Sequence, residues 1–198
     1  MARIISSAET SFLLRDKLSK GIQKITFSKW VVTDHIPLIA MCYKSEITSY
    51  NSHKKKLYNA YLSWLASSPK YIQYKSLNIS DFLASEFAKD NIKEYFYYMI
   101  SAFFSQISIE KGMAGIYYPS VRVGYQGYNV AIAPPYVDNC QKLIVSAECT
   151  LYKNGDQSIL DNESLAIIQD DNQTFTYNPV DPKYHQGRDA ILKKLHMH

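Results

Sequence analysis

Two short apolar runs in the middle of this 198-residue chain constrain its fold more than any other feature. The runs, GIYYPSVR at residues 115–122 and YNVAIAP at residues 128–134, enclose a loop with two glycines. Apolar runs that are bounded by glycine and proline are typical of β-strands. A strand–loop–strand arrangement of this length holds Ser120, Arg122 and Asn129 close together at strand ends, and this proximity predicts a binding site.

Helical periodicity is strongest over about residues 91–111, where apolar residues recur at spacings of three and four and Gly112 closes the segment. The spacing predicts a helix whose apolar stripe is buried against a sheet. Shorter helices are predicted near residues 6–15, 56–66 and 80–87, the last with a cap at its start. The predicted stripe consists of Ile92, Phe96, Met99, Ile100, Phe103 and Ile107.

Most of the strand patterns follow these helices in the chain. The Asn154–Gly155 pair is a strong hairpin-turn signal after the last predicted strand. The apolar run at residues 36–43 fits either a buried strand or a helix, and periodicity does not choose between them. Helices first and strands last predict an α+β fold. The predicted strands are residues 22–32, 115–118, 128–133 and 142–152.

The length of the chain suits one sizeable core and is short for two, so a single domain over residues 1–198 is predicted. The core of that domain is expected over about residues 6–170. The tail, residues 171–198, is expected to be loosely attached apart from a helix at residues 189–195.

Charge and cysteine content narrow the class of protein. The net charge is only +4 and the basic residues are scattered, so nucleic acid is an improbable partner. Three cysteines, Cys42, Cys140 and Cys149, have no C-x-x-C spacing, which argues against a disulfide framework or a zinc site and favours a reducing cytoplasm. No apolar run approaches the roughly 20 residues of a membrane span, and the N-terminus lacks the basic-then-apolar pattern of a secretion signal, so neither a membrane partner nor export is expected.

The three side chains of the predicted site each have a chemical use and a plainer structural explanation. Ser120 can hydrogen-bond a ligand hydroxyl or phosphate, or simply form a turn. Arg122 offers a planar fork for a phosphate or carboxylate, or a solvated charge at a strand end. Asn129 can donate and accept at once, but asparagine in such a position is also common turn chemistry. No one of them identifies a function alone.

The other polar residues predict no metal site and no acid–base pair. The five histidines share no metal-ligand spacing beyond the terminal His-Met-His. Glu46, Glu86 and Glu94 are the carboxylates nearest to apolar runs, but nothing in the sequence pairs them. The basic run at residues 54–56 reads as the solvated start of a helix, and glycine-rich phosphate loops are absent.

The middle of the chain resembles the C-terminal half of RES-domain proteins. The resemblance is carried by GIYYPSVR at 115–122, GYNVAI at 127–132, Pro134, VD at 137–138, Lys142–Leu143 and CTLYKNG at 149–155. A helix with Glu94, Tyr95 and Phe96 also looks like the one that precedes this segment in longer members. The likeness covers about residues 90–155 well and residues 6–32 loosely.

The resemblance implies a fold, an activity and partners. RES-domain proteins are bacterial toxins of toxin–antitoxin pairs, with an ADP-ribosyltransferase-like mixed sheet on which helices pack. Their activity consumes NAD by cleaving its nicotinamide–ribose bond. For this chain the resemblance implies NAD as substrate, an antitoxin protein as partner, Ser120 as a catalytic residue, and Asn129, Arg122 and Tyr118 as NAD-binding residues.

The N-terminal region departs from the family pattern. Family members carry an Arg and a Tyr there, followed by a Glu at the end of a helix that SAETS at residues 7–11 resembles, but Leu14 stands where that Glu is expected. Glu9 or Arg15 could fill the missing roles only in a shifted register. In this register the chain is a shortened or degenerate member. It is then either an NAD glycohydrolase, phosphorylase or ADP-ribosyltransferase, or a non-catalytic binding or interaction module of RES-like fold.

Overall fold

The structure is a computed structural model that describes residues 2–41, 52–89, 95–124, 127–168 and 174–197. The helices are α1 (Ala2–Thr10), α2 (Phe12–Arg15), α3 (Ser52–Ala66), α4 (Lys70–Phe87), α5 (Met99–Glu110), α6 (Pro134–Cys140) and α7 (Arg188–Lys194), with 3-10 turns at Tyr95–Tyr98 and Pro182–Tyr184. The strands are β1 (Lys20–Val32), β2 (Leu38–Ala40), β3 (Gly115–Ser120), β4 (Gly127–Ile132), β5 (Gln141–Asn154), β6 (Gln157–Ile167) and β7 (Asn178–Pro179).

The chain is divided into two compact units, each with its own sheet. The terminal unit contains residues 1–34 and 140–198, and the central unit contains residues 35–139. Both combine helices with strands, so the predicted α+β class is confirmed. The single-domain assignment stays a prediction, since two compact units can belong to one domain.

The terminal unit is built on a four-stranded antiparallel sheet in the order β1-β5-β6-β7. β1 pairs with β5 along its whole length, and β5 returns as β6 through a tight turn in which Gly155 has a φ of 62°. Only glycine adopts this backbone region without steric cost, which is why the Asn154–Gly155 signal was informative. The strands predicted at residues 22–32 and 142–152 are confirmed.

The C-terminal segment of the terminal unit contributes to its core. Ile191 of α7 is fully buried and packs with Leu195, Met197 and the ring of Tyr152. Asn154 holds the same segment by donating a hydrogen bond of 2.8 Å from Nδ2 to the carbonyl oxygen of Leu195. The sequence predicted a loosely attached tail from residue 171, whereas residues 191–197 are docked by apolar contacts that no local pattern announces.

The central unit is built on a three-stranded mixed sheet in the order β2-β3-β4, with β2 parallel to β3 and β3 antiparallel to β4. The run at residues 36–43 is therefore a strand over Leu38–Ala40, while residues 42 and 43 lie outside the described residues. A Cβ atom at Gly115 would stand 1.9 Å from the carbonyl oxygen of Ala131. Glycine is required here because the backbones of the two strands approach closely.

The helices of the central unit differ from prediction mainly in their extent. The helix predicted at residues 56–66 is the C-terminal part of α3, and that at residues 80–87 is the end of the longer α4. The predicted cap at Ser80 is wrong, because Ser80 lies inside α4 and its hydroxyl shares a hydrogen bond of 2.8 Å with Tyr61 of α3. In the part of the chain that the structure describes, no helix is both long and apolar enough to cross a membrane.

The orientation of α5 contradicts the predicted burial of its apolar stripe. Phe103 is 65% exposed, and the serine side of the helix is buried or half-buried. Ser105 and Ser108 donate hydrogen bonds of 2.7 Å to carbonyl oxygens one turn earlier, so their hydroxyls need no partner outside the helix. Small, internally satisfied side chains let α5 pack against β3, and the predicted apolar stripe lies on the exposed side of the helix. The described members of the stripe, Phe96, Met99, Ile100, Phe103 and Ile107, are all exposed, and Ile92 lies outside the described residues.

Candidate functional site

The hairpin formed by β3 and β4 brings three of the four predicted site residues to one face of the sheet of the central unit. In its register, Tyr118 is paired with Asn129 and Ser120 is paired with Gly127. Residues paired across two antiparallel strands project to the same face, and so do alternate residues along one strand. Tyr118, Ser120 and Asn129 therefore share a face, whereas the sequence pattern predicted the proximity of Ser120, Arg122 and Asn129.

These residues differ in their access to solvent. Ser120 is fully buried, whereas Tyr118 and Asn129 are half-buried. Arg122 is exposed in the turn that follows β3, in which Gly124 has a φ of 59°. The structure thus brings Ser120, Tyr118 and Asn129 together and leaves the Arg122 guanidinium at the surface beyond the end of the strand.

A cavity of about 220 Å³ opens on the Tyr118 side of the sheet, between β3, β4 and the helices α4 and α5. The ring of Phe87 forms one wall, with its centroid 5.5 Å from that of Tyr118 and 6.2 Å from that of Phe104. The hydroxyls of Ser101 and Ser105 belong to the same lining. The cavity combines aromatic walls with a few polar groups, as small-molecule sites do, but it is smaller than the roughly 300–1,000 Å³ of sites for drug-sized ligands. It therefore suits one ring system of a larger molecule.

Glu86 supplies a carboxylate to this cavity. Its side chain is 9% exposed, and its Oε2 lies 2.5 Å from Nζ of Lys89, which also lines the cavity. A nearly buried carboxylate requires such a partner, because leaving its charge unpaired away from water is costly. Glu86 was predicted to be unpaired, although the spacing of three residues between Glu86 and Lys89 on a helix favours an ion pair.

The candidates for the missing family roles, Glu9 and Arg15, do not line this cavity. Glu9, in α1, and Arg15, in α2, belong to the terminal unit, as does Leu14. Arg15 donates a hydrogen bond of 2.5 Å to the backbone carbonyl of Glu9. Glu46 and Glu94 fall outside the described residues. Glu86 is thus the carboxylate that the structure places in one cavity with a predicted site residue.

The opposite face of the hairpin carries an aromatic cluster around a lysine. The rings of Tyr117 and Tyr128 are stacked with centroids 4.4 Å apart, and His53 meets both edge-on at 6.2 and 5.9 Å. Nζ of Lys54 lies 5.1 Å from the centroid of the Tyr128 ring, a cation–π distance.

The environment of Lys54 corrects the interpretation of residues 54–56 as a solvated helix start. Lys54 is fully buried, although Lys55 and Lys56 are exposed as expected. The burial could not be predicted because the aromatic rings around Lys54 come from strands more than 60 residues further along the chain.

No family model, no curated protein and no solved structure matches the chain. Within the described residues, no group of three or more His, Cys, Asp or Glu side chains is arranged to hold a metal ion.

Proposed function

We propose that the central unit binds NAD on the Tyr118–Ser120–Asn129 face of its hairpin and cleaves the nicotinamide–ribose bond. The observation that carries the proposal is the common orientation of these three side chains on the face of the sheet where Tyr118 lines a cavity walled by aromatic rings. The resemblance of residues 115–134 to RES-domain proteins supplies the ligand. A RES-type, ADP-ribosyltransferase-like fold belongs to the same proposal, and it is supported by the mixed sheet with α4 and α5 packed against β3.

Each residue has a defined role in this proposal. Tyr118 and Phe87 stack against one ring of the dinucleotide, which matches the size of the cavity. Asn129 hydrogen-bonds the ligand from the neighbouring strand, and Arg122 reaches the diphosphate from the turn. Because Ser120 is fully buried, it acts as a hydrogen-bonding group in the wall of the site rather than as a solvent-exposed nucleophile.

The proposed reaction needs stabilisation of positive charge. When the bond between ribose C1′ and the nicotinamide nitrogen breaks, its electron pair leaves with nicotinamide and the ribose becomes oxocarbenium-like. Water, phosphate or a protein side chain then supplies the electron pair of the new bond to C1′. A carboxylate near C1′ lowers the barrier, and Glu86 is the described carboxylate in the cavity with Tyr118. Because Lys89 already neutralises Glu86, we expect turnover to be slow.

Nicotinamide release tests the proposal directly. The purified chain is incubated with NAD, with and without phosphate, and nicotinamide is followed by chromatography while NAD binding is measured by calorimetry. Release should be lost in Ser120→Ala and Glu86→Gln, and binding should weaken in Asn129→Ala. Val130→Ala is the matched control, since Val130 is exposed on the opposite face of β4. Saturable binding without release would support a non-catalytic NAD-binding module, and the absence of both would contradict NAD as the ligand.

A second candidate function is a protein-interaction module. It is favoured by the exposed apolar face of α5, which includes Met99 and Phe103, because soluble chains seldom leave such a patch uncovered. The resemblance points to an antitoxin as the partner and to the cytoplasm as the location, and the free, buried Cys140 and Cys149 are compatible with a reducing compartment.

Co-expression with the product of an adjacent open reading frame tests this candidate. Co-purification that is lost in Phe103→Glu would support an antitoxin interface. A chain that purifies alone, and whose mass by light scattering is that of a monomer, would contradict it.

A further inference from the structure

The terminal unit holds another cavity, of about 520 Å³, that the proposed function does not use. It lies on one face of the sheet formed by β1, β5 and β6, and the segment from Pro179 to Arg188 closes its side. Its volume is within the roughly 300–1,000 Å³ of small-molecule sites. Its polar lining consists of Lys24, Thr150, Tyr152, Glu163, His185 and Arg188.

A β-bulge contributes to the polar character of this face. The pairing of β5 with β6 shifts register between Glu148 and Cys149, and Glu163 is the residue of β6 left without a partner across the strands. Bulges re-aim side chains and are frequent next to functional sites. Glu163 consequently lies on the cavity beside Thr150, whose hydroxyl donates a hydrogen bond of 2.5 Å to its Oε1.

Most charges around the cavity are paired with each other. Nζ of Lys24 lies 3.5 Å from Oε2 of Glu163. Oδ2 of the buried Asp161 lies 2.7 Å from Nδ1 of His185, and its Oδ1 accepts a hydrogen bond of 3.3 Å from the backbone of Gln186. Glu163 and Asp161 thus already face Lys24 and His185, which disfavours a cationic ligand between them.

Two hydrogen-bond donors remain available in the cavity. Among the described residues, neither the Arg188 guanidinium nor the Tyr152 hydroxyl has an ion-pair or hydrogen-bond partner. Burial raises the pKa of Tyr152, and the nearby Glu163 and Asp161 raise it further, while Arg188 acts in the opposite direction. Tyr152 therefore keeps its proton and can donate. An arginine fork beside a neutral hydroxyl is a recognition group for a carboxylate or a phosphate.

The charges and the apolar lining of the cavity favour a carboxylate over a phosphate. Arg188 is the cation of this lining without a carboxylate partner among the described residues, and the nearby Glu163 and Asp161 repel a second negative charge on a ligand. The remaining lining is apolar, with Ile22, Val180 and two prolines. A monoanion with an apolar body fits better than a phosphate dianion.

We propose that this cavity of the terminal unit binds a small organic carboxylate, held by the Arg188 guanidinium and the Tyr152 hydroxyl, with its apolar body against Ile22 and Val180. The site is separate from the proposed NAD site, because every residue that lines it belongs to the terminal unit. Its ligand is recognised by one negative charge and one apolar face.

An NMR titration of the amide signals of the full chain with benzoate tests the proposal. Benzamide, the neutral analogue, and phenyl phosphate, the dianionic one, serve as comparison probes. Benzoate at millimolar concentration should shift the signals of residues around Tyr152 and Arg188 saturably. Both comparison probes should bind at least about tenfold more weakly, which corresponds to about 1.4 kcal/mol.

Two variants and two controls complete the test. Arg188→Gln should weaken benzoate binding about tenfold or more, and Tyr152→Phe, which keeps the buried ring, should weaken it less. Lys193→Gln is the matched control, because it removes a positive charge from the exposed side of the same helix. Asn129→Ala in the central unit should leave benzoate binding unchanged. No saturable shift, equal binding of benzamide, or equal binding by the Arg188→Gln and Lys193→Gln variants would overturn the proposal, and the spectrum itself reports whether each variant is folded.

Discussion

Replacing Ile191 by alanine tests how strongly the C-terminal segment is bound to the terminal unit. Ile191 is fully buried against Tyr152, Leu195 and Met197. The substitution removes three carbon atoms from an apolar site at about 0.8 kcal/mol each, and the cavity left behind adds to that cost. The free energy of unfolding of the terminal unit should therefore fall by about 3 kcal/mol, within the usual range of about 2–5 kcal/mol for such changes.

The two tryptophans allow this loss to be measured in one unit. Trp30 lies in β1 of the terminal unit and Trp64 lies in α3 of the central unit. In a Trp64→Phe background, fluorescence during urea unfolding reports on the terminal unit alone, and the free energy follows from linear extrapolation. Leu18→Ala in the same background is the control, because Leu18 is 88% exposed and its loss should change stability by no more than about 0.5 kcal/mol. If Ile191→Ala were no more harmful than Leu18→Ala, the docking of residues 191–197 would be refuted and the loosely attached tail would stand.

Three further substitutions have defined outcomes. Phe103→Ala should change the thermal midpoint little, because the side chain is exposed, and a loss of about 3 kcal/mol or more would refute the orientation of α5. Gly115→Ala should destabilise the central unit severely, because its Cβ would collide with the carbonyl oxygen of Ala131, and a normal midpoint would refute the close approach of β3 and β4. The hydrogen bond from Thr150 is the main cause that lowers the pKa of Glu163 below 4.5. The ionised Glu163 thus stabilises the fold fully above pH 4.5 and loses this effect as the pH falls through its lower folded pKa. Thr150→Val should reduce the loss of stability in that acid range, and an unchanged pH dependence in urea titrations would contradict the assignment.

The strands β1 and β5 and the turn after β5 could be predicted because residues within each segment determine them. β1 and β5 were recognised from β-branched and aromatic residues, and the β5–β6 turn from a glycine that adopts a positive φ. The proximity of Ser120 and Asn129 was predicted from two strands joined by a short loop, whereas the face that they share with Tyr118 follows from the register of β3 and β4.

The features that the sequence did not predict depend on contacts between residues that are distant in the chain. The period of α5 was read correctly, but periodicity identifies an apolar stripe without saying whether the fold covers it. Lys54 was assigned to solvent because lysine is seldom buried, and its aromatic surroundings come from β3 and β4. The same limit applies to the cavity of the terminal unit, whose lining comes from β1, β5, β6 and the segment up to Arg188.

The topology also explains why the order of helices and strands along the chain did not indicate two compact units. The central unit is inserted between β1 and β5, whose antiparallel pairing brings residues 32 and 141 side by side. A hydrogen bond of 2.8 Å from the backbone of Thr33 to the carbonyl oxygen of Cys140 closes this junction. An insertion whose ends lie together is compatible with an intact parent sheet, because the parent strands pair as if a loop joined them. The order of helices first and strands last therefore mixed an inserted unit with the sheet that receives it, and each unit holds one of the two candidate sites.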